Sequence, residues 1–322
     1  MLAPMNTATH LLIALALPAL VLAVMVAWPT LAPPPLTDLA EAAQRIDATG
    51  TPPLASFSAR DGTALAWRHY APERSAGKVA VMVHGSSADG RNMNGVGKAL
   101  AAAGFDAYAL DVRGHGASGR RGDIDHPGQL DEDLADAVAE LRRRHPGAAF
   151  TMIGFSSGGG FTLRTAGGAN GDLFDRYVMV APMLHQAAPT ARPASGGWVK
   201  VNMPRIVALT ILDRLGLHAF EHLPVLAFGL PPEAAAERTL AYSYRLQRDY
   251  RPHEDYLGDV RGIRRPAAVI VGENDALFRA EAYAQLLEPL QPRLKVTLLP
   301  GLGHLDLVVD RGAIDTIVAA AG

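Results

Sequence analysis

Six apolar runs rich in β-branched and aromatic residues recur along most of the chain, and stretches with helical spacing separate them. The runs cover Val79–Val83, Asp106–Leu110, Phe150–Ile153, Tyr177–Val180, Ala267–Val271 and Lys295–Leu299. Upstream of them, Leu54–Arg60 and Thr63–Tyr70 flank Asp61-Gly62, a dipeptide typical of a tight hairpin turn. Continuous apolar strands that alternate with helices are typical of a mainly parallel sheet covered on both faces. The pattern therefore predicts an α/β fold over residues 54–322.

One interval breaks this alternation. Between about Leu184 and Gly262 no clear buried strand is evident, although Ile206–Leu217 is strongly apolar and Glu233–Gln247 has helical spacing. An insertion of about 80 residues between two core strands is too long for a simple connection. We therefore predict that about residues 184–262 form a subdomain inserted into the sheet.

The first segment has a different pattern, because Leu11–Trp28 is an uncharged apolar run. A run of roughly 18 such residues is about long enough to cross a bilayer as a helix. Length and the lack of Lys or Arg before Arg45 favour an uncleaved signal anchor over residues 1–28. We therefore expect a single-pass membrane protein with the remaining chain on the extracytoplasmic side. The alternative is a signal peptide cleaved near Ala32, which would give a secreted or periplasmic protein.

The segment that follows, residues 29–53, contains Pro33-Pro34-Pro35 and then a short stretch of helical spacing over Leu36–Ile46. Proline-rich segments are semi-rigid and extended. The segment is therefore predicted to be a stiff stalk between the membrane and the domain that begins at residue 54.

Composition limits the possible partners and chemistry. The chain has 30 Lys and Arg against 32 Asp and Glu, a formal net charge of −2, so no nucleic-acid partner is expected. Hydrophobic residues make up 49% of the chain, which is enough for a sizeable core. The absence of cysteine excludes disulfides, thiolate nucleophiles and Cys-ligated zinc. The oligomeric state is left open by these data.

The residues Gly154-Phe155-Ser156-Ser157-Gly158 match the pattern G-x-S-x-G. They follow the predicted strand Phe150–Ile153 directly and precede a predicted helix that opens with Gly159-Gly160. A sharp turn between a strand and a helix exposes a serine for nucleophilic attack, and its glycines avoid collisions at the crowded turn. Ser156 is therefore the candidate nucleophile.

A serine nucleophile needs a base and a residue that orients the base. His304 follows the strand Lys295–Leu299, and Asp275 follows the strand Ala267–Val271. The carboxyl ends of parallel strands meet at one edge of the sheet, where such folds bind ligands. The order Ser156, Asp275, His304 is also the order expected for this architecture, so we predict that these residues form a catalytic triad.

Ester and amide hydrolysis also need N–H groups that stabilise the oxyanion of the transition state. One predicted donor is the backbone N–H of Ser157, which follows the nucleophile. The other is the backbone N–H of Ser86, in the loop His84-Gly85-Ser86-Ser87 after the strand Val79–Val83. His84 precedes the glycine of this loop and is interpreted as a residue that organises it.

The residues Asp111-Val112-Arg113-Gly114-His115-Gly116-Ala117-Ser118 resemble the D-x-R-G-H-G-x-S turn of one branch of the α/β-hydrolase superfamily. That branch contains lysophospholipases, monoacylglycerol lipases and serine aminopeptidase-type enzymes, and the resemblance extends over roughly residues 54–322. It implies a Ser–Asp–His hydrolase with a mostly parallel sheet of eight-stranded type, helices on both faces of the sheet, and a helical cap inserted after the sixth strand. The interval at about residues 184–262 lies where that cap is expected. In this branch the turn is structural, so the resemblance gives His115 no catalytic role.

Together these features predict a serine hydrolase that cleaves carboxylic esters, such as monoacylglycerols or lysophospholipids, through an acyl-enzyme. No metal or organic cofactor is required for this chemistry. A peptidase or amidase of the same fold and a non-catalytic lipid-binding protein remain alternatives. The predicted acyl pocket is lined by apolar residues of the cap, unless these only pack the cap onto the core: Ile206, Val207, Leu209, Ile211 and Leu212.

Overall fold

The computed structural model describes residues 7–36, 41–42 and 44–322, with side chains in the first helix from residue 16 onward. The strands are β1 Leu54–Ser58, β2 Ala64–Tyr70, β3 Lys78–Val83, β4 Phe105–Leu110, β5 Ala149–Phe155, β6 Arg176–Val180, β7 Val199–Val201, β8 Pro224–Phe228, β9 Ala241–Ser243, β10 Ala267–Gly272 and β11 Leu294–Leu299. The helices are α1 Thr7–Ala27, α2 Asn94–Ala102, α3 Gln129–Arg144, α4 Ser157–Gly167, α5 Met203–Arg214, α6 Tyr244–Asp249, α7 Tyr256–Gly262, α8 Ala282–Leu287 and α9 Arg311–Ala321.

The central sheet has eight strands in the order β1-β2-β4-β3-β5-β6-β10-β11. Strand β2 runs antiparallel to both of its neighbours, whereas β4, β3, β5, β6, β10 and β11 are parallel. All six predicted core runs are strands, with ends that differ by at most two residues. The predicted α/β-hydrolase architecture is therefore confirmed.

Side chains of the central strands point alternately to the two faces of the sheet. In β3, Val79, Val81 and Val83 join the buried cluster on one face, together with residues of α3 and α4. Ala80 and Met82 join the cluster on the other face, together with residues of α2 and α9. Both faces are thus covered by helices, which explains why the parallel strands are apolar on both sides.

The cap lies between β6 and β10 and contains α5, α6 and α7 together with a small antiparallel sheet, β7-β8-β9. The sequence pattern did not predict these strands, because each is only 3 to 5 residues long and the register of β8 shifts after Pro224. The stretch predicted as a helix over Glu233–Gln247 is instead a 3₁₀ turn, β9 and the start of α6. The Ser243 hydroxyl caps the N-terminus of α6 by accepting a hydrogen bond from the Leu246 N–H at 3.1 Å, so the helix begins directly after β9.

Helix α1 packs against the chain's own cap. Arg205 of α5 donates hydrogen bonds to the carbonyl oxygens of Val26, at 2.7 Å, and Trp28, at 2.6 Å, so it binds the last turn of α1. Within the residues that the structure describes, no helix is both long and apolar enough to cross a bilayer. The prediction of a single-pass membrane protein held by a signal anchor is therefore wrong. The uncharged run Leu11–Trp28 has the length expected of a membrane-spanning helix, but the sequence pattern does not indicate that its end is hydrogen-bonded to the cap.

The segment after α1, which was predicted to be a stalk, contacts both the cap and the core. Thr30 donates to the Pro224 carbonyl at 2.7 Å, and Arg45 forms an ion pair with Asp306 at 2.6 Å. The Asn94 side chain donates to the Asp47 carbonyl at 2.7 Å. Residues 37–40 and 43 of the predicted helical stretch Leu36–Ile46, like residues 1–6, lie outside the described residues.

Candidate active site

Ser156 occupies the turn between β5 and α4 with φ 57° and ψ −115°. A positive φ is uncommon for a residue with a side chain, and such strain persists only where the surroundings enforce it. Here the Ser156 N–H donates to the Val180 carbonyl at 2.8 Å, and its carbonyl accepts from Gly160 and Met183, each at 3.0 Å. These backbone bonds hold the serine at the carboxyl end of β5.

The glycines of the G-x-S-x-G motif are required by close approach of the backbone. A Cβ on Gly154 would overlap the Gly158 carbonyl, and a Cβ on Gly158 would overlap the carbonyls of Val83 and His84. The first turn of α4 therefore packs directly on the end of β3. This packing brings the loop that follows β3 next to Ser156.

The structure brings the three predicted triad residues together. The Oγ of Ser156 lies 3.0 Å from Nε2 of His304, and Nδ1 of His304 lies 2.7 Å from Oδ2 of Asp275. All three side chains are buried. Ser156 follows β5, Asp275 follows β10 and His304 follows β11, so each lies at the carboxyl end of a parallel strand.

Asp275 is held as an oriented carboxylate. Its Oδ1 accepts hydrogen bonds from the N–H groups of Leu277, at 2.8 Å, and Phe278, at 2.9 Å. Burial by itself would raise the pKa of the Asp275 carboxyl, but His304 and these two N–H groups outweigh it and lower the pKa below its ordinary value. The carboxyl is therefore ionised at neutral pH and can hold the His304 imidazole in one orientation.

Ser86 and Ser157, the two predicted oxyanion-hole residues, border one cavity together with Ser156. Ser157 is the first residue of α4, and the first N–H groups of a helix have no acceptor within the helix. Ser86 follows Gly85, where a Cβ would lie only 3.3 Å from the Cβ of Ser156. The Ser86 hydroxyl also accepts a hydrogen bond from the indole N–H of Trp198 in the cap, at 3.2 Å.

His84 organises this loop from within the core. Its Nδ1 donates to the Gly85 carbonyl at 2.7 Å, and its Nε2 accepts from the Val112 N–H at 3.2 Å, a pattern that fits one neutral tautomer. Burial lowers the pKa of His84, which is consistent with the neutral form. The Tyr250 hydroxyl of the cap donates to the His84 carbonyl.

A second tyrosine of the cap, Tyr242, bonds to the same loop. Its hydroxyl accepts from the Ser87 N–H at 3.0 Å and donates to Nε2 of His115 at 2.6 Å. Burial holds the pKa of His115 well below its ordinary value, so this histidine is also neutral. We call His84, His115, Tyr242 and Tyr250 the His–Tyr cluster. Sequence reasoning missed both tyrosines, because nothing in the local pattern of the cap points to the loop after β3.

The D-x-R-G-H-G-x-S turn binds other parts of the core. The Asp111 carboxylate accepts from the N–H groups of Gly90, at 2.8 Å, and Ala117, at 2.9 Å. Arg113 pairs with Asp133 at 2.7 Å. The turn therefore binds the segment after β3 through Gly90 and helix α3 through Asp133, and it carries His115 of the His–Tyr cluster.

Two cavities border Ser156, and both are mostly apolar. The first, which we call the Leu36 cavity, has a volume of about 120 Å³ and is lined by Ser156 and His304 together with Pro35, Leu36, Ile46, Leu230, Leu277 and Leu305. The second, about 60 Å³, lies on the cap side and is bordered by Ser156, Ser157, Met183, Phe228, Gln247 and Arg251. Met183, Gln247 and Arg251 also border a larger cavity of about 760 Å³, which we call the Arg251 cavity.

The five cap residues predicted to line an acyl pocket occupy different environments. Ile206 borders the Arg251 cavity. Leu209 is buried with Val225 and Tyr244 inside the cap, and Leu212 packs against that small cluster. Val207 and Ile211 are exposed, at 42% and 40% of their surface. Of these five residues, only Ile206 borders one of the cavities described above.

Comparisons with known proteins agree with this architecture. The family described as Hydrolase_4, serine aminopeptidase S33, matches residues 74–310. A curated monoacylglycerol lipase of Mycolicibacterium smegmatis is 31% identical over 109 residues, which is 34% of this chain and 39% of that protein. The chain thus matches well under half the length of this relative.

Two solved structures show the same fold. A soluble variant of monoglyceride lipase from Saccharomyces cerevisiae superimposes with a TM-score of 0.62 at 16% identity, covering 84% of this chain and 94% of that one. A monoacylglycerol lipase from Paleococcus ferrophilus superimposes with a TM-score of 0.57 at 20% identity, covering 83% and 98%.

Proposed function

The chain belongs to the Hydrolase_4 family, serine aminopeptidase S33, and on this basis we propose that it is a serine hydrolase that cleaves carboxylic esters. The observation that carries the proposal is the continuous hydrogen-bonded path from Ser156 through His304 to Asp275, with spacings of 3.0 Å and 2.7 Å. In this path each group has the partner that nucleophilic catalysis by a serine requires.

The proposed reaction begins when the Oγ of Ser156 attacks the acyl carbon of the ester. His304 takes the Ser156 proton through Nε2 and then donates it to the departing alcohol, which leaves an acyl-enzyme on Ser156. Water, activated by the same nitrogen, hydrolyses the acyl-enzyme and restores the serine. Asp275 holds the imidazole by its Nδ1–H and stabilises the imidazolium that forms in each step.

The N–H groups of Ser86 and Ser157 are proposed to stabilise the negative oxygen of each tetrahedral intermediate. Two observations support this role: Ser157 begins a helix, so its N–H has no intrahelical acceptor, and Gly85 brings the Ser86 backbone close to Ser156. The neighbouring Ser87 N–H is instead occupied by the Tyr242 hydroxyl. This bond favours Ser86 over Ser87 as the proposed donor of this loop.

The proposed acyl group is that of a lipid ester such as a monoacylglycerol or a lysophospholipid. The Leu36 cavity supports this choice, because its surface is mostly apolar and Ser156 and His304 both line it. A curated relative and two structural neighbours that are named as monoacylglycerol or monoglyceride lipases support it further. Pro35 and Leu36 line this cavity, so the segment before residue 54 forms part of the proposed acyl site.

An active-site label tests the proposal directly. A fluorophosphonate probe should modify the purified chain on Ser156, and the label should vanish in Ser156→Ala but persist in Ser157→Ala, which keeps the backbone N–H at that position. Absence of labelling on the folded chain would favour a non-catalytic binding protein. Faster cleavage of aminoacyl amides than of matched acyl esters would favour a peptidase or amidase.

A further inference from the structure

Only some of the N–H donors of the Arg251 guanidinium group have a hydrogen-bond partner among the described residues. Its side chain is 13% exposed, and Nη2 pairs with Glu254 at 2.9 Å. Nε and Nη1 are buried, and neither has a hydrogen-bond partner among the described residues. Buried polar groups are normally hydrogen-bonded, and an unmatched donor on a charged group is strongly disfavoured. The three N–H groups on these two nitrogens therefore have no acceptor within the part of the chain that the structure describes.

Arg251 lies in the same cavity as the proposed nucleophile, Ser156. Arg251 and Gln247 border the small cavity that also contains Ser156 and Ser157, and both residues border the Arg251 cavity as well. A substrate that reaches Ser156 from the cap side therefore passes these two side chains. The Leu36 cavity also borders Ser156, but neither Arg251 nor Gln247 lines it.

The Arg251 cavity also has an excess of positive charge. Its lining contains five arginines but only two carboxylates, Asp213 and Glu254. Asp213 already pairs with Arg248 at 2.8 Å, and Glu254 pairs with His185 at 3.2 Å as well as with Arg251. The Glu254 side chain is 73% exposed, so water weakens its attraction for the buried guanidinium. The cavity is therefore suited to an anion.

We propose that Arg251 binds an oxyanion carried by the alcohol part of the substrate, and that the substrates are acyl esters of a phosphate-bearing alcohol. This inference rests on the proposed function, because it assigns the acyl chain to the Leu36 cavity and the leaving alcohol to the Arg251 side. Phosphate suits the site because its several oxygens can accept from more than one edge of a guanidinium. The volume of about 760 Å³ accommodates a phosphate together with the alcohol that carries it.

The test compares two esters with the same acyl chain, a 1-acylglycerol and the corresponding 1-acylglycerol 3-phosphate. For each variant the measured quantity is the ratio of kcat/KM for the phosphate ester to kcat/KM for the neutral ester. The full-length chain should prefer the phosphate ester. In Arg251→Gln the ratio should fall by about 10- to 100-fold, since hydrogen bonds from a charged donor are lost.

The control is Arg214→Gln, which removes an exposed arginine that borders the same cavity from α5. Its ratio should change by less than about threefold, because exposed charges act weakly through water. An equal fall in both variants would point to a general field of positive charge and would overturn the assignment to Arg251. A stronger preference for an ester that carries a carboxylate in place of the phosphate would overturn the choice of phosphate.

A second measurement needs no variant and covers the case in which Arg251→Gln does not fold. Hydrolysis of p-nitrophenyl butyrate by the full-length chain should be inhibited competitively by glycerol 3-phosphate and not by glycerol. Inhibition by inorganic phosphate at the same concentrations would show a site for free phosphate rather than for a phosphorylated alcohol. No inhibition by glycerol 3-phosphate would overturn the inference while leaving the ester hydrolase proposal intact. No hydrolysis of p-nitrophenyl butyrate would overturn the proposed function itself.

Discussion

The core and the cap both border Ser156, but they are built in different ways. In the core, Ser156, Asp275 and His304 each follow a strand of a continuous parallel sheet, so the sheet fixes their relative positions. The cap has strands of 3 to 5 residues and short helices, and it supplies side chains that reach towards the site, among them Trp198 and Arg251. We infer that the core determines the chemistry and that the cap, with the segment before residue 54, determines what is bound.

The largest predicted effect tests the core. Ser156→Ala should lower ester turnover by about 10⁴- to 10⁶-fold, because the nucleophile is removed while the fold is retained. Ser157→Ala should stay within about tenfold of the unmodified chain, since its proposed role uses the backbone N–H. Steady-state hydrolysis of p-nitrophenyl esters measures both, and circular dichroism checks that each variant is folded. Near-normal turnover by folded Ser156→Ala would contradict the assignment of the nucleophile.

The next prediction tests the contact between the two regions. Tyr242→Phe removes the hydroxyl that bonds to the Ser87 N–H and to His115, which leaves a buried N–H without its partner. We expect kcat to fall by about 10- to 100-fold, with little change in KM. This decrease is smaller than, or at most similar to, the decrease in kcat caused by removing one oxyanion-hole donor. Tyr244→Phe, a tyrosine of the cap whose hydroxyl contacts Thr210, is the matched control and should leave kcat nearly unchanged. A rise in KM alone would show that Tyr242 acts on binding rather than on the oxyanion loop.

The His–Tyr cluster also predicts how stability depends on pH. Burial lowers the pKa of His84 and His115 in the folded chain below the ordinary histidine value of about 6.5. As pH falls below about 6.5, the unfolded chain binds protons that the folded chain does not, so the free energy of unfolding decreases. Each histidine contributes up to about 1.4 kcal/mol per pH unit until its folded pKa is reached.

Urea denaturation at several pH values between about 7 and 5 measures this slope. His115→Gln should reduce the slope, whereas His126→Gln, which changes a histidine with a 51% exposed side chain, should not. A slope that is the same in His115→Gln and in the unmodified chain would contradict the neutral, buried state of His115.

The smallest predicted effect tests the segment before residue 54. Leu36→Ser makes one wall of the Leu36 cavity polar, so KM for long acyl esters should rise by about 3- to 10-fold while KM for acetate esters stays nearly constant. Leu31→Ser, at an exposed leucine of the same segment, is the control. An equal change for acetate and long acyl esters would mean that Leu36 does not select the acyl group.

The sequence predicted the core well because its signals are local. Each core strand is a continuous apolar run, and the crowded turn at Ser156 needs glycines that can be recognised in the sequence. Asp275 and His304 were predicted because the ends of parallel strands converge, and in the structure they lie within hydrogen-bond distance of the predicted partners. The interval between β6 and β10 was predicted to be an insertion, but its short strands fall below the length at which a period can be recognised.

The contacts of the N-terminal region were missed for a different reason. The bonds from Arg205 to the carbonyls of Val26 and Trp28 join residues that are 179 and 177 positions apart. Every residue has a backbone carbonyl, so the amino-acid sequence does not indicate which carbonyl accepts a hydrogen bond. Arg251 was missed in the same way, since only the folded structure shows that two of its nitrogens have no hydrogen-bond partner among the residues it describes.

The tyrosine hydroxyls of the His–Tyr cluster have a consequence for how this architecture can diversify. Tyr242 and Tyr250 belong to the cap, yet they complete the hydrogen bonding of the loop that carries Ser86. A cap exchanged for that of a relative would leave the Ser87 N–H and the His84 carbonyl unpaired unless it brought equivalent hydroxyls. A cap of this kind is therefore not a freely interchangeable module. A chimaera designed for new selectivity has to keep these two tyrosines, or equivalent hydroxyls, in order to keep its rate of hydrolysis.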